Sequence, residues 1–217
     1  MTKYQNKYGF TSELKNIDET VRIPYETIYG AFSAPDTTWY KSIPSLFKDK
    51  SVFVEVGSFE GRSAVCMAEE IYNNKRKIQL HCVDPFTGNP EQDEYSFLTQ
   101  NVDCLYNKFM ENTGFYRKKK IIVPSRGYSA DISREFDDNS VDFVFLDGRH
   151  EHEYVLEDLN CWYPKLKVGG IMSGHDYRTN DMGVKTAVDE FCQKHKIEYS
   201  LLDKNSHSTI FIFQGKK

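Results

Sequence analysis

No two of the five cysteines (Cys66, Cys82, Cys104, Cys161, Cys192) form a C-x-x-C pair, and their number is odd. Scattered thiols of this kind argue against a zinc ribbon or a disulfide framework and for a reducing compartment. Long apolar runs are also missing: nothing approaches the roughly 20 residues that cross a bilayer. The first ten residues, MTKYQNKYGF, lack the apolar stretch of a secretory signal. A cytoplasmic protein without membrane partners is expected. There is no excess of positive charge either. A net charge of −4 and a pI near 5.9 give no electrostatic reason to expect nucleic acid as a partner. The run Arg117–Lys120 reads as a solvated lead-in to a strand. Internal repeats and low-complexity tracts are absent. What is present is 217 residues with 39% hydrophobic and 14% aromatic content, ample for one large core.

A third glycine is missing from the most informative stretch, VFVEVGSFEGRSAV over residues 52–65. Val52, Phe53, Val54 and Val56 suit a strand buried on both faces. Gly57 and Gly61 then allow a tight turn into a helix whose free N–H groups point at the turn. A dinucleotide site uses G-x-G-x-x-G, whereas this loop has G-x-x-x-G and adds Glu55 and Glu60. Carboxylates repel a pyrophosphate and suit a cationic ligand. S-adenosylmethionine has a sulfonium, an ammonium and no phosphate. Asp84 ends the next strand, 23 residues after Gly61, where an acid can accept hydrogen bonds from both ribose hydroxyls. Each piece has a plainer reading: the glycines as a tight connection, Asp84 as the start of a turn with Pro85.

Along the chain, strand-like runs at 52–56, 78–83, 120–124, 141–146 and 170–173 alternate with helical runs at 61–73, about 96–112, 128–136, 151–163 and 183–195. Runs at 197–202 and 208–213 close the chain as a hairpin. Such alternation predicts an α/β fold with helices on both faces of a mostly parallel sheet. Residues 1–50 are rich in aromatics, too apolar for a disordered tail, and read as a helical element that covers the site mouth, forms a homodimer contact or packs on the sheet. The segment Pro85–Gln100 is a candidate lid. His81 falls within a strand and reads as core; His152, His195 and His207 read as surface residues.

In order, VEVGSFEGRSAV, CVDPF, GYSADI, FVFLDGRH and GGIMSGHDY resemble the motifs of class I S-adenosylmethionine-dependent methyltransferases. The resemblance is greatest to small-molecule O-methyltransferases of the metal-dependent, catechol O-methyltransferase-like and macrocin O-methyltransferase-like kind. It spans roughly residues 50–213. It implies a Rossmann-like doubly wound sheet of about seven strands, order 3-2-1-4-5-7-6 with the last antiparallel. This domain would occupy 51–217, after a helical N-terminal extension over 1–50.

On the cofactor side the resemblance implies Glu55, Gly57, Phe59, Gly61, Ser63, Asp84, Ser129 and Asp147. Asp147 ends the strand VDFVFL, and His175 with Asp176 ends GIMSG, so all three project into one crevice; in the family resembled, the matching positions hold a divalent cation. Two carboxylates suit Mg²⁺, and the imidazole shifts preference toward Mn²⁺, Fe²⁺ or Zn²⁺. His175 departs from the family, whose pair is more often Asp-Asp or Asp-Asn. His150 matches the catalytic lysine of catechol-type enzymes and can act as general base near neutral pH, with Asp147 beside it. Arg149 stands where macrocin-type relatives carry an aspartate. The expected activity is O-methylation of a small-molecule hydroxyl, on a sugar or phenol. The alternatives are a metal-independent methyltransferase, a cephalosporin hydroxylase-like or non-haem iron oxygenase, and a non-catalytic cofactor-binding protein.

Overall fold

The computed structural model describes residues 2–5, 7, 11–14, 17–88, 102–177, 182–202 and 209–215. Most of the candidate lid, and His207, lie outside them.

The chain begins with a small antiparallel pair, β1 (Thr2–Gln5) and β2 (Thr11–Leu14), which the aromatic content of this segment did not foretell. Helix α1 (Ala34–Leu46) follows. Ser33 starts it: its N–H and its hydroxyl both donate to Asp36 Oδ2 at 2.7 Å, a capping box closed by aspartate.

The main sheet contains β3 (Val52–Val56), β4 (Gln79–Asp84), β5 (Ile122–Arg126), β6 (Val141–Leu146), β7 (Leu166–Gly174), β8 (Ser200–Leu202) and β9 (Ile210–Gln214). Their spatial order is β5-β4-β3-β6-β7-β9-β8. Counted from β3 this is 3-2-1-4-5-7-6, with β9 antiparallel to both neighbours, as the resemblance implies. The intervening helices are α2 (Arg62–Asn73), α3 (Val102–Lys118), α4 (Ser129–Ser133), α5 (His152–Trp162) and α6 (Met182–His195).

Alternate residues of each strand feed opposite faces. Phe53, Phe143 and Phe145 pack under α1, α2 and α3, and the Tyr40 ring meets Phe145 edge-on at 4.7 Å. Val54, Val144 and Met172 pack under α5 and α6 with Trp162 and Phe191. His81 sits half-buried in β4, its ring 5.1 Å from Phe136, in keeping with its reading as core.

Candidate functional site

The crevice lies at the carboxyl ends of β3, β4, β6 and β7, where open α/β sheets bind ligands. Three non-glycine residues just past these strands take positive φ: Phe59 (47°), Phe86 (56°) and Asp176 (59°). Left-handed backbone at such residues is strained, and among the described residues Lys50, Lys75, Lys120, Asn139 and Lys196 adopt it elsewhere.

Gly57 has φ 86°, and a Cβ there would stand 2.0 Å from the Asp147 carbonyl oxygen. The exit of β3 therefore passes directly against the exit of β6. Gly61, φ 89°, precedes α2 and would press a Cβ to 3.0 Å from Thr113 and 3.1 Å from Phe109 of α3. Packing within the protein thus accounts for both glycines, and the case for a ligand passes to the acids around them.

Asp84 clips two exit loops together: its Oδ2 accepts the Phe59 N–H at 2.9 Å and its Oδ1 the Phe86 N–H at 2.6 Å. Burial pushes its pKa up, and these N–H groups with Arg126 oppose the rise. A carboxylate has about four lone-pair sites, so room remains for hydroxyl donors. Glu55 is buried and accepts the Tyr40 hydroxyl at 2.9 Å. Burial pushes it up to about 7, opposed by Tyr40, Ser58 and Ser63. Phe59 packs its ring 6.2 Å from the exposed Tyr29, and Arg62 Nη1 donates to the Gly30 carbonyl at 2.5 Å. The segment around Gly30 therefore lies across the glycine loop. Ser129 begins α4; its hydroxyl accepts the Trp162 indole N–H at 2.8 Å and also interacts with Asp158.

A second group of residues converges beside this loop. Asp147, His175 and Asp176 each offer one ligand atom, and these atoms all lie within 4.8 Å of one another. His175 Nδ1 is 3.1 Å from Asp176 Oδ2 and 3.7 Å from Asp147 Oδ1. His150 Nε2 approaches Asp176 Oδ2 at 3.1 Å. Arg149 turns away to Glu151, over the Tyr154 ring at 3.8 Å. Asp36 of α1 was not foreseen: it is 1% exposed, and its Oδ1 lies 3.3 Å from His175 Nε2. Burial works against a charged His175, but Asp176, Asp36 and Asp147 outweigh it and hold the ring as an imidazolium, its pKa pushed up to about 11. Burial pushes Asp147 up to about 6, with His175 opposing. The cluster is therefore organised around positive charge. Two carboxylates and an imidazole also make a donor set that fits a divalent cation of the Mn²⁺, Fe²⁺ or Zn²⁺ kind.

The fold, with the methyltransferase-domain family model that matches it, defines a Rossmann-fold member of the S-adenosylmethionine methyltransferase superfamily. More narrowly, the chain belongs to an enzyme family of methyltransferase domains that matches residues 54–177, more than half of its length. An uncharacterised protein of Acanthamoeba polyphaga mimivirus is 26% identical over 131 residues, 60% of this chain and 53% of that protein. One from Sinorhizobium fredii is 24% identical over 131 residues, 60% of this chain and 13% of that one. The chain thus spans about half the length of the first and a small part of the second. Among solved structures, the O-methyltransferase NovP superposes with a TM-score of 0.64 at 19% identity, covering 92% of this chain and 89% of that one. An rRNA methylase from Streptococcus thermophilus gives 0.55 at 12% identity, over 87% and 100%. At these identities the likeness is one of fold. Among the described residues no helix is long and apolar enough to cross a membrane.

Proposed function

We propose that this protein is an S-adenosylmethionine-dependent O-methyltransferase acting on a hydroxyl of a small molecule, a sugar or a phenol, with a divalent metal at Asp147, His175 and Asp176. The observation that carries this reading is the convergence of those three ligand atoms within 4.8 Å at the end of β6 and β7, with His150 alongside. The cofactor supplies the methyl group, and a metal held by the three side chains lowers the pKa of a nearby hydroxyl.

Methyl transfer joins the hydroxyl oxygen to the methyl carbon, breaks the S–CH₃ bond with its electron pair going to sulfur, and leaves one proton to be removed. His150 is the group that takes it, through Nδ1, because its Nε2 already faces Asp176 Oδ2 at 3.1 Å. The Asp176 carboxylate stabilises the imidazolium that results. On the other side of the crevice Asp84 would hold the ribose hydroxyls, and Glu55, Ser63 and Phe59 would hold the cationic methionine end. Ser129 serves the adenine side through α4. Orienting oxygen and methyl group in line supplies much of the rate enhancement in such a reaction.

Calorimetric titration with S-adenosylhomocysteine, with Mg²⁺ or Mn²⁺ and again after EDTA, is expected to give micromolar binding that Asp84→Ala abolishes. No binding under either condition would overturn the reading. A metal-independent methyltransferase is the second reading, favoured by one observation: His175 already balances the surrounding carboxylates as a cation. Turnover that survives EDTA would favour it.

A further inference from the structure

We infer that Asp36, on the N-terminal helix, is a positioning residue that fixes which nitrogen of His175 faces the metal. The inference rests on the metal-dependent reading above. A metal-ligating histidine binds through one ring nitrogen and donates the N–H of the other, and the acceptor of that N–H sets tautomer and ring orientation. The two nitrogens of His175 face opposite ways. Nδ1 looks toward Asp176 Oδ2 at 3.1 Å and Asp147 Oδ1 at 3.7 Å, the other two members of the donor set. Nε2 looks toward Asp36 Oδ1 at 3.3 Å. Nδ1 is thus the metal-facing nitrogen, and Nε2 carries the proton toward Asp36.

Asp36 is built for this task. Its Oδ2 is taken by the Ser33 N–H and hydroxyl, both at 2.7 Å, which fixes the plane of the carboxylate. Its Oδ1 is buried 3.3 Å from His175 Nε2, and neither atom makes a hydrogen bond among the described residues, so each is the other's nearest complement. A carboxylate serving only as a helix cap would leave its second oxygen to water. The helix is itself pinned over the site: the Tyr40 hydroxyl donates to Glu55 Oε2 at 2.9 Å, and the Trp39 indole N–H to Ser173 Oγ at 3.4 Å. The N-terminal helix would therefore support the metal centre, although none of its residues belongs to the donor set.

The test uses the full chain, with Mn²⁺ affinity read by calorimetry and the tautomer of His175 read by NMR of isotope-labelled imidazole nitrogens with Mg²⁺ or Zn²⁺ bound. Asp36→Asn is expected to weaken Mn²⁺ binding by about 10–100-fold, and metal-bound wild type to carry its His175 proton on Nε2. Ser33→Ala is the control for a purely structural role. It removes the hydroxyl donor but keeps the Ser33 N–H on Oδ2, so the carboxylate stays anchored, the tautomer should hold, and metal affinity should fall far less than in Asp36→Asn. Equal Mn²⁺ affinity in wild type and Asp36→Asn, or a His175 proton on Nδ1, overturns the assignment and leaves the metal reading standing. Failure of wild type to bind Mn²⁺ overturns both. The wild-type tautomer decides the matter even if Asp36→Asn does not fold.

Discussion

Single buried acids give this protein its expected pH behaviour. Asp158 on α5 is buried, and burial pushes it up to about 7, with Ser129 opposing and the charge of Glu157 adding to the rise. Between the ordinary aspartate range and pH 7 the folded protein keeps a proton that the unfolded chain has released. Stability therefore falls as pH rises through that window and levels off above it. Asp158→Asn removes the titrating group, so its melting temperature, relative to wild type, should be higher near pH 8 than near pH 5, roughly flat above 7. An equal offset at both values would show that Asp158 does not titrate in that window. Glu55 follows the same sign, with one addition: Tyr40 holds its pKa down. Tyr40→Phe should therefore cost more stability where Glu55 is ionised, of order 1–3 kcal/mol for a buried carboxylate short of one donor, as read from denaturant melts on either side of about pH 7.

At the scale of elements, the strands were readable where apolar residues run without interruption. VFVEV and VDFVFL form β3 and β6 with the expected bounds. The strand read at 170–173 is longer, Leu166–Gly174, because Gly169 at φ 75° and a shift in pairing between Val141 and Phe143 interrupt the pattern that marks a strand. The helix read at about 96–112 is described over Val102–Lys118, residues 96–101 lying outside the described residues, and it runs beyond the expected end at 112. The glycines between β3 and α2 were legible as a turn, but not the reason for each. At Gly57 an added Cβ meets backbone at 2.0 Å, whereas at Gly61 it meets side-chain atoms no closer than 3.0 Å. Backbone cannot give way as a side chain can. Gly57→Ala should therefore destabilise well beyond the roughly 1–3 kcal/mol expected from left-handed strain at Gly61→Ala, and displace Asp147 with it. Urea unfolding of the two variants measures the difference, and equal losses would contradict the close approach of β3 and β6.

Across the whole molecule, the candidate site joins groups that sequence reading could reach with one that it could not. Asp84, Asp147, His175 and Asp176 stand at strand ends, and strand ends are visible in local patterns. Asp36 meets His175 from a helix on the far side of the N-terminal segment, and no periodicity or spacing encodes that contact. Only its capping role beside Ser33 could have been seen, and many helix caps go no further. The same helix also carries Tyr40 and Ile43, both wholly buried in the core under the sheet. Core packing and site geometry are therefore coupled through α1, and a ligand bound at β6 and β7 should stabilise a helix far away in sequence. Anything that binds only the native arrangement lowers the population of locally opened states. Saturating Mn²⁺ should accordingly slow amide hydrogen exchange in the first turns of α1, where Asp36 sits, as well as at the ends of β6 and β7. In Asp36→Asn, at Mn²⁺ concentrations raised to restore saturation, the slowing at the strand ends should return while that in α1 does not. Equal protection of α1 in both proteins would mean that the helix is held by its core contacts alone.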